Sequence, residues 1–136
     1  MSKTLKHLTV EAVKAIHREV LAAHGGAAGI RDETLLESAV AAPQATMMGQ
    51  PLFSDPVEIA AAYLFYICRN HPFLDGNKRT SLAACLAFLE TNEVLRITKL
   101  PVDEWEKLML DVAASKIDRA TTTQRLGKLL KRPRKR

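Results

Sequence analysis

The sequence predicts an all-α fold, a compact bundle of about six helices with an active loop between two central ones. Three observations carry that prediction. Apolar residues recur at helical spacing along most of the chain, capping residues and prolines punctuate them, and hardly any stretch alternates with the period of two that a half-buried strand requires. With 136 residues the chain fits one domain, placed at residues 1–130, and residues 131–136 form a basic tail.

Each helix has its own start and stop. Thr9 caps the first, with Leu8 as its hydrophobic neighbour, and Val10, Val13, Ile16, Val20 and Leu21 form one apolar stripe that Gly25 and Gly26 end. Asp32 caps a second carrying Leu35, Leu36, Ala39 and Val40, stopped by Pro43. Residues 43–54, rich in Pro, Gly, Gln and Met, read as a loop long enough to be an exposed functional flap. The third helix opens with Asp55 as cap, Pro56 at its first position and Glu58 three residues after the cap. Pro72 ends it near Asn70, since the residue before a proline is disfavoured in the helical conformation. Asn77 is expected to cap a fourth helix that runs to about Thr91 and closes at Asn92. A short extended link follows at residues 94–98. Asp103 then begins a fifth helix bearing Trp105, Leu108, Met109 and Val112, and Arg119 to Leu130 makes the sixth.

Composition narrows the function classes. No apolar run approaches the ~20 residues that cross a bilayer, and the start lacks the apolar stretch and cleavage pattern of a signal peptide, so a cytoplasmic protein without membrane contact is expected. Cys68 and Cys85 lie within apolar runs as small hydrophobes, and two cysteines without paired histidines argue against zinc. The net charge of +5 is matched by Lys131, Arg132, Arg134, Lys135 and Arg136, which leaves the rest of the chain near neutral. That run reads as a solvated, disordered end, with contact to nucleic acid as its other reading.

Residues 71 to 79, His-Pro-Phe-Leu-Asp-Gly-Asn-Lys-Arg, form a polar, turn-breaking loop between two almost wholly apolar runs. From Val57 to Cys68 the only charged residue is Glu58, and from Leu82 to Leu89 the only polar group is the Cys85 thiol. Such helices belong in the middle of a domain. Charge placed at the mouth of a core is costly without a ligand, so the loop is a candidate site. The first turn of the following helix directs free N–H groups and positive dipole forward and carries Lys78 and Arg79, which suits phosphate. Asp75 beside it can hold Mg²⁺, and His71 can take a proton from a hydroxyl near neutral pH. Phe73 pins the loop into the core. Together these groups suit transfer of a phosphate-containing group to a hydroxyl. The glycine patterns of P-loop proteins and protein kinases are absent.

The loop resembles the signature of the Fic/Doc family, His-x-Phe-x-Asp/Glu-Gly/Ala-Asn followed by Gly-Arg in Fic enzymes and by Lys-Arg in the Doc branch. The Gly25-Gly26 and Gly29-Ile30-Arg31-Asp32 segments, the loop before Asp55 and the short C-terminal helices extend the likeness toward Doc. The resemblance implies ATP as substrate with Mg²⁺, His71 as general base, Asp75 as the metal residue, and Gly76, Asn77, Lys78 and Arg79 as the nucleotide- and phosphate-binding set. It also implies phosphate transfer to a threonine of elongation factor Tu, translation arrest, and an antitoxin whose C-terminal segment folds as a helix in a groove. Lys78 in place of the Fic glycine, and Leu82 where Fic enzymes carry a second arginine, favour phosphate over AMP transfer. Gly76, where the phage-type Doc loop carries alanine, points the other way. The inhibitory Ser/Thr-x-x-x-Glu-Gly/Asn pattern of many Fic proteins is not found.

Plainer roles stand beside these. His7, His17 and His24 read as structural, Asp75 and Asn77 could be loop and cap residues, and Lys78 with Arg79 could be a solvated face. A non-catalytic nucleotide-binding module, or a nucleic-acid binder acting through the tail, is the alternative to an enzyme.

Overall fold

The computed structural model describes residues 5–94 and 102–130. The basic run 131–136 and all but the first residue of the expected link 94–98 lie outside them. Among the described residues the order is α1 (Val10–His24), α2 (Glu33–Ala41), a 3-10 turn (Ala42–Gln44), β1 (Thr46–Met47), β2 (Gln50–Pro51), α3 (Pro56–Asn70), α4 (Asn77–Thr91), α5 (Val102–Ala113) and α6 (Arg119–Leu130).

The caps follow the side-chain chemistry. Thr9, Asp32 and Asp55 accept hydrogen bonds from first-turn N–H groups of Ala12, of Leu35, and of Val57 and Glu58 respectively, satisfying donors that a helix start leaves orphaned. Asn92 ends α4, and its carboxamide donates to Phe88 C=O and Lys6 C=O while accepting from Lys6 N–H.

α3 is the hub, packed on α4 most closely and also on α2, α5 and α6. From Ile59 to Cys68 it has no exposed residue, and Ala60, Ala61 and Ala62 are fully buried, small enough for neighbouring backbones to approach closely. Ala84, Cys85, Phe88 and Leu89 of α4 complete the centre, with Trp105, Leu108 and Val112 of α5 and Leu126 of α6 closing one side. Both cysteines are free and buried, and burial pushes their thiols up in pKa. No described helix is long and apolar enough to cross a membrane.

Three boundaries differ from expectation. α2 ends at Ala41, ahead of Pro43 as expected, but the loop expected from Pro43 begins instead with a 3-10 turn that takes the proline in its first turn, where its missing N–H would have no partner anyway. The stretch after it is not wholly loop: Met47 pairs with Gln50 in a two-residue hairpin whose turn, Met48 (φ 52) and Gly49 (φ 79), has the two positive φ angles of a type I′ connection. α5 starts at Val102, one residue before Asp103.

Candidate active site

The loop expected to carry the chemistry joins the two buried helices. α3 ends at Asn70, and His71 takes the left-handed conformation (φ 51, ψ 54) as its C-cap, which leaves the imidazole exposed. Arg31 supports that turn by donating from Nε to the His71 carbonyl at 2.6 Å and from a terminal nitrogen to the Asn70 carbonyl at 2.9 Å. These are carbonyls at a helix C-terminus, where cations bind favourably.

The segment between α1 and α2 runs alongside the loop. Arg31 and Asp32 donate their N–H groups to Pro72 C=O, Leu74 donates to Gly29 C=O, and Ile30 bridges Phe73 in antiparallel fashion. Phe73 is buried as expected, its ring stacked on His17. Leu74, between the two inward-directed residues Phe73 and Asn77, is exposed.

Asp75 lies on the surface. Its Oδ2 accepts from Ala27 N–H at 3.2 Å and its Oδ1 from its own neighbour Gly76 N–H at 2.8 Å. Those two bonds, Ala27 first, hold the carboxyl below the usual carboxylate range, with smaller electrostatic help from His17 and His71. The approach is close: a side chain at Gly26 would bring its Cβ to 2.8 Å from Asp75 Oδ2.

Asn77 corrects one expectation. It does not cap α4; Gly76, at φ 77, occupies the cap position without any side-chain bond, and Asn77 is the first helical residue. Its buried carboxamide instead turns back to Phe73, accepting from the N–H at 2.9 Å and donating to the C=O at 3.0 Å. The reason is backbone satisfaction: Phe73 is buried where water cannot serve its peptide groups. Lys78 and Arg79 are exposed on the first turn, so the front of α4 presents free N–H groups, helix dipole and two cations on one surface. Leu82 sits half-buried one turn further on.

Two supports escaped sequence reading. Arg31 has no local pattern that marks it as a clamp on α3. His17 did have a signal, being a polar residue inside the Val13–Ile16–Val20 stripe, and a polar group on an inward face needs a buried partner. It is 4% exposed, and its Nε2 lies 2.9 Å from the Asp75 carbonyl oxygen.

Residues 7–89 match the model of the Fic/DOC family. A protein named Toxin Doc from Mycolicibacterium smegmatis is 44% identical over 96 residues, covering 71% of this chain and 74% of that protein. One named Protein kinase doc from Escherichia phage P1 is 33% identical over 90 residues, covering 66% of this chain and 71% of its own length. Since the family match spans α1 to nearly the end of α4 and contains the loop that joins the two central helices, the chain belongs to the Fic/Doc family, on its Doc side.

Proposed function

We propose that the protein is a Doc-like toxin: a protein kinase that moves the γ-phosphate of ATP onto a serine or threonine hydroxyl, with elongation factor Tu as target. Translation and growth then stop until an antitoxin engages the enzyme through its C-terminal segment. The observation that carries this reading is the loop, in which an exposed imidazole, an ionised carboxylate and a cationic helix N-terminus occur within residues 71–79. The name of the phage relative supports a kinase, and so does Lys78, whose volume and charge replace the glycine of AMP-transferring relatives.

In this mechanism the phosphates lie against the first turn of α4, opposed by its N–H groups, Lys78 and Arg79. Asn77 contributes through its backbone, its carboxamide being engaged with Phe73. His71 takes the proton from the target hydroxyl as that oxygen bonds to the γ-phosphorus. The bond from the same phosphorus to the β–γ bridging oxygen breaks, and ADP leaves.

Asp75 fits the role of Mg²⁺ residue. Its carboxylate is exposed and ionised, each oxygen accepts one backbone N–H and keeps a lone pair, and magnesium in nucleotide sites needs only one or two carboxylates beside phosphate oxygens. Among the described residues no group of three or more His, Cys, Asp or Glu side chains is placed to hold a metal, so phosphate and water would complete the shell. Bound there, Mg²⁺ neutralises phosphate charge.

The test is incubation of the purified protein with elongation factor Tu and ATP labelled separately at the α and γ phosphates. Label should pass from the γ position only, and Lys78→Gly should impair that transfer. An AMP adduct made by the parent protein would replace the kinase with an adenylyltransferase; binding of ATP without transfer of either label would leave a nucleotide-binding module.

A further inference from the structure

The transfer reaction leaves one buried histidine unused, and through it the core of α1 reaches the active loop. The His17 ring lies flat on Phe73, centroids 3.8 Å apart and planes 6° from parallel. Its Nε2 meets the Asp75 carbonyl oxygen at 2.9 Å. A carbonyl can only accept, so Nε2 carries a hydrogen and a ring protonated on Nδ1 alone is excluded. One side chain thus holds the loop at two points, on either side of the exposed Leu74.

The second contact has a geometric consequence. In a trans peptide the C=O and the following N–H point in opposite directions. With the Asp75 carbonyl drawn toward His17, the Gly76 N–H is turned away from the core, where it meets Asp75 Oδ1 at 2.8 Å. Ala27 N–H then takes the other carboxylate oxygen. The carboxylate's direction therefore follows from the plane of the Asp75–Gly76 peptide, and Gly76 is also the residue from which α4 starts.

We propose that His17 is a positioning residue for Asp75: its Nε2–H fixes the Asp75–Gly76 peptide plane, so that the carboxylate and the first turn of α4 face the nucleotide phosphates together. This rests on the proposed transfer reaction for its kinetic consequence, whereas its structural consequence stands apart from that reading.

Two variants separate the donor from the ring. His17→Phe keeps a stacked ring of similar volume and loses the donor; His17→Gln loses the ring and places an amide N–H at similar reach. The Phe variant should fold with unfolding temperature near the parent's, lose about 10-fold or more in kcat with KM for the protein target little changed, and need more Mg²⁺ for half-maximal rate. The Gln variant should recover most of the lost rate. Parental rate and Mg²⁺ dependence in the Phe variant, or equal losses in both variants, would make His17 packing alone.

A readout independent of catalysis is ring and amide NMR. The parent should show a proton on Nε2 of His17, and the Gly76 amide resonance should move in the Phe variant and return toward its parental position in the Gln variant. An Nδ1–H tautomer, or a Gly76 amide unmoved in the Phe variant, overturns the proposal whether the protein transfers phosphate, AMP or nothing. Should the Phe variant not fold, the parent's tautomer and the Gly76 amide of the Gln variant decide the matter.

Discussion

His71 occupies a left-handed conformation that costs a non-glycine residue on the order of 1–2 kcal/mol. Arg31, bonded to the carbonyls of His71 and Asn70, helps hold it there. The residue is exposed, so His71→Ala should keep helix content by circular dichroism. Label transfer should fall by about 10²–10⁴-fold, the usual worth of a positioned base, and expression in a bacterial host should become harmless. Undiminished transfer by a folded variant would take the base role from His71. At this scale the sequence makes residue types legible but not their partners. His71, Asp75, Lys78 and Arg79 stand exposed where a reactive loop would put them, and Phe73 is buried. Asparagine caps well, so local preference points to Asn77 as a cap, yet the demand of a buried Phe73 peptide outweighs it. His17 reads as structural, and nothing local in the sequence says that its partner is 58 positions away.

The segment between α1 and α2 acts as a strap along the loop, and two adjacent glycines in it provide an internal comparison. Gly25 and Gly26 both have positive φ, 79° and 125°, so alanine is strained at either. They differ in surroundings: a Cβ at Gly25 meets nothing within 4 Å, whereas at Gly26 it would press on Asp75 Oδ2 at 2.8 Å. Each substitution should cost about 1–3 kcal/mol in chemical denaturation, Gly26→Ala the more of the two, but only Gly26→Ala should displace the carboxylate and raise the Mg²⁺ requirement for transfer. Equal activity of the two variants would mean that Asp75 relaxes freely around the contact. Elements with strong local chemistry were legible: the caps at Thr9, Asp32 and Asp55 and the end of α3 before Pro72 stand where the sequence puts them. The 3-10 turn and the hairpin at Met47–Gln50 were not, because strands of two residues carry no periodicity and positive φ at Met48 has no residue signature. The strap was visible only as a glycine-rich join, since apart from the Arg31 side chain it bonds to the loop through its own backbone groups, which carry no residue signature.

At the scale of the whole molecule, apolar periodicity made the buried character of α3 and α4 legible, while the way the N-terminal segment closes the bundle rests on long-range polar contacts that periodicity does not encode. Asn92 at the end of α4 pairs with the Lys6 backbone, and the Tyr63 hydroxyl, in the middle of α3, accepts from Leu8 N–H at 3.0 Å and pairs with His7 Nδ1 at 3.0 Å. Tyr63 is fully buried, and burial pushes its hydroxyl up to about 12, against the opposing pull of Leu8 N–H and Gln44. The folded-state value thus lies above the unfolded one near 10. The native state holds its proton where the unfolded chain has already lost it, so the stabilisation is fully present below pH ~10 and disappears as pH rises toward 12. A difference of about two units corresponds to about 2–3 kcal/mol. Tyr63→Phe removes this dependence and leaves Leu8 N–H buried without its partner, which should cost about 1–3 kcal/mol at neutral pH. In urea titrations the parent should therefore be the more stable protein at pH 7, and the gap between the two should narrow steadily between pH 10 and pH 12. A gap independent of pH over that range would show that the hydroxyl ionises in the folded state as readily as in the unfolded chain, and that Tyr63 joins the N-terminal segment to α3 by packing alone.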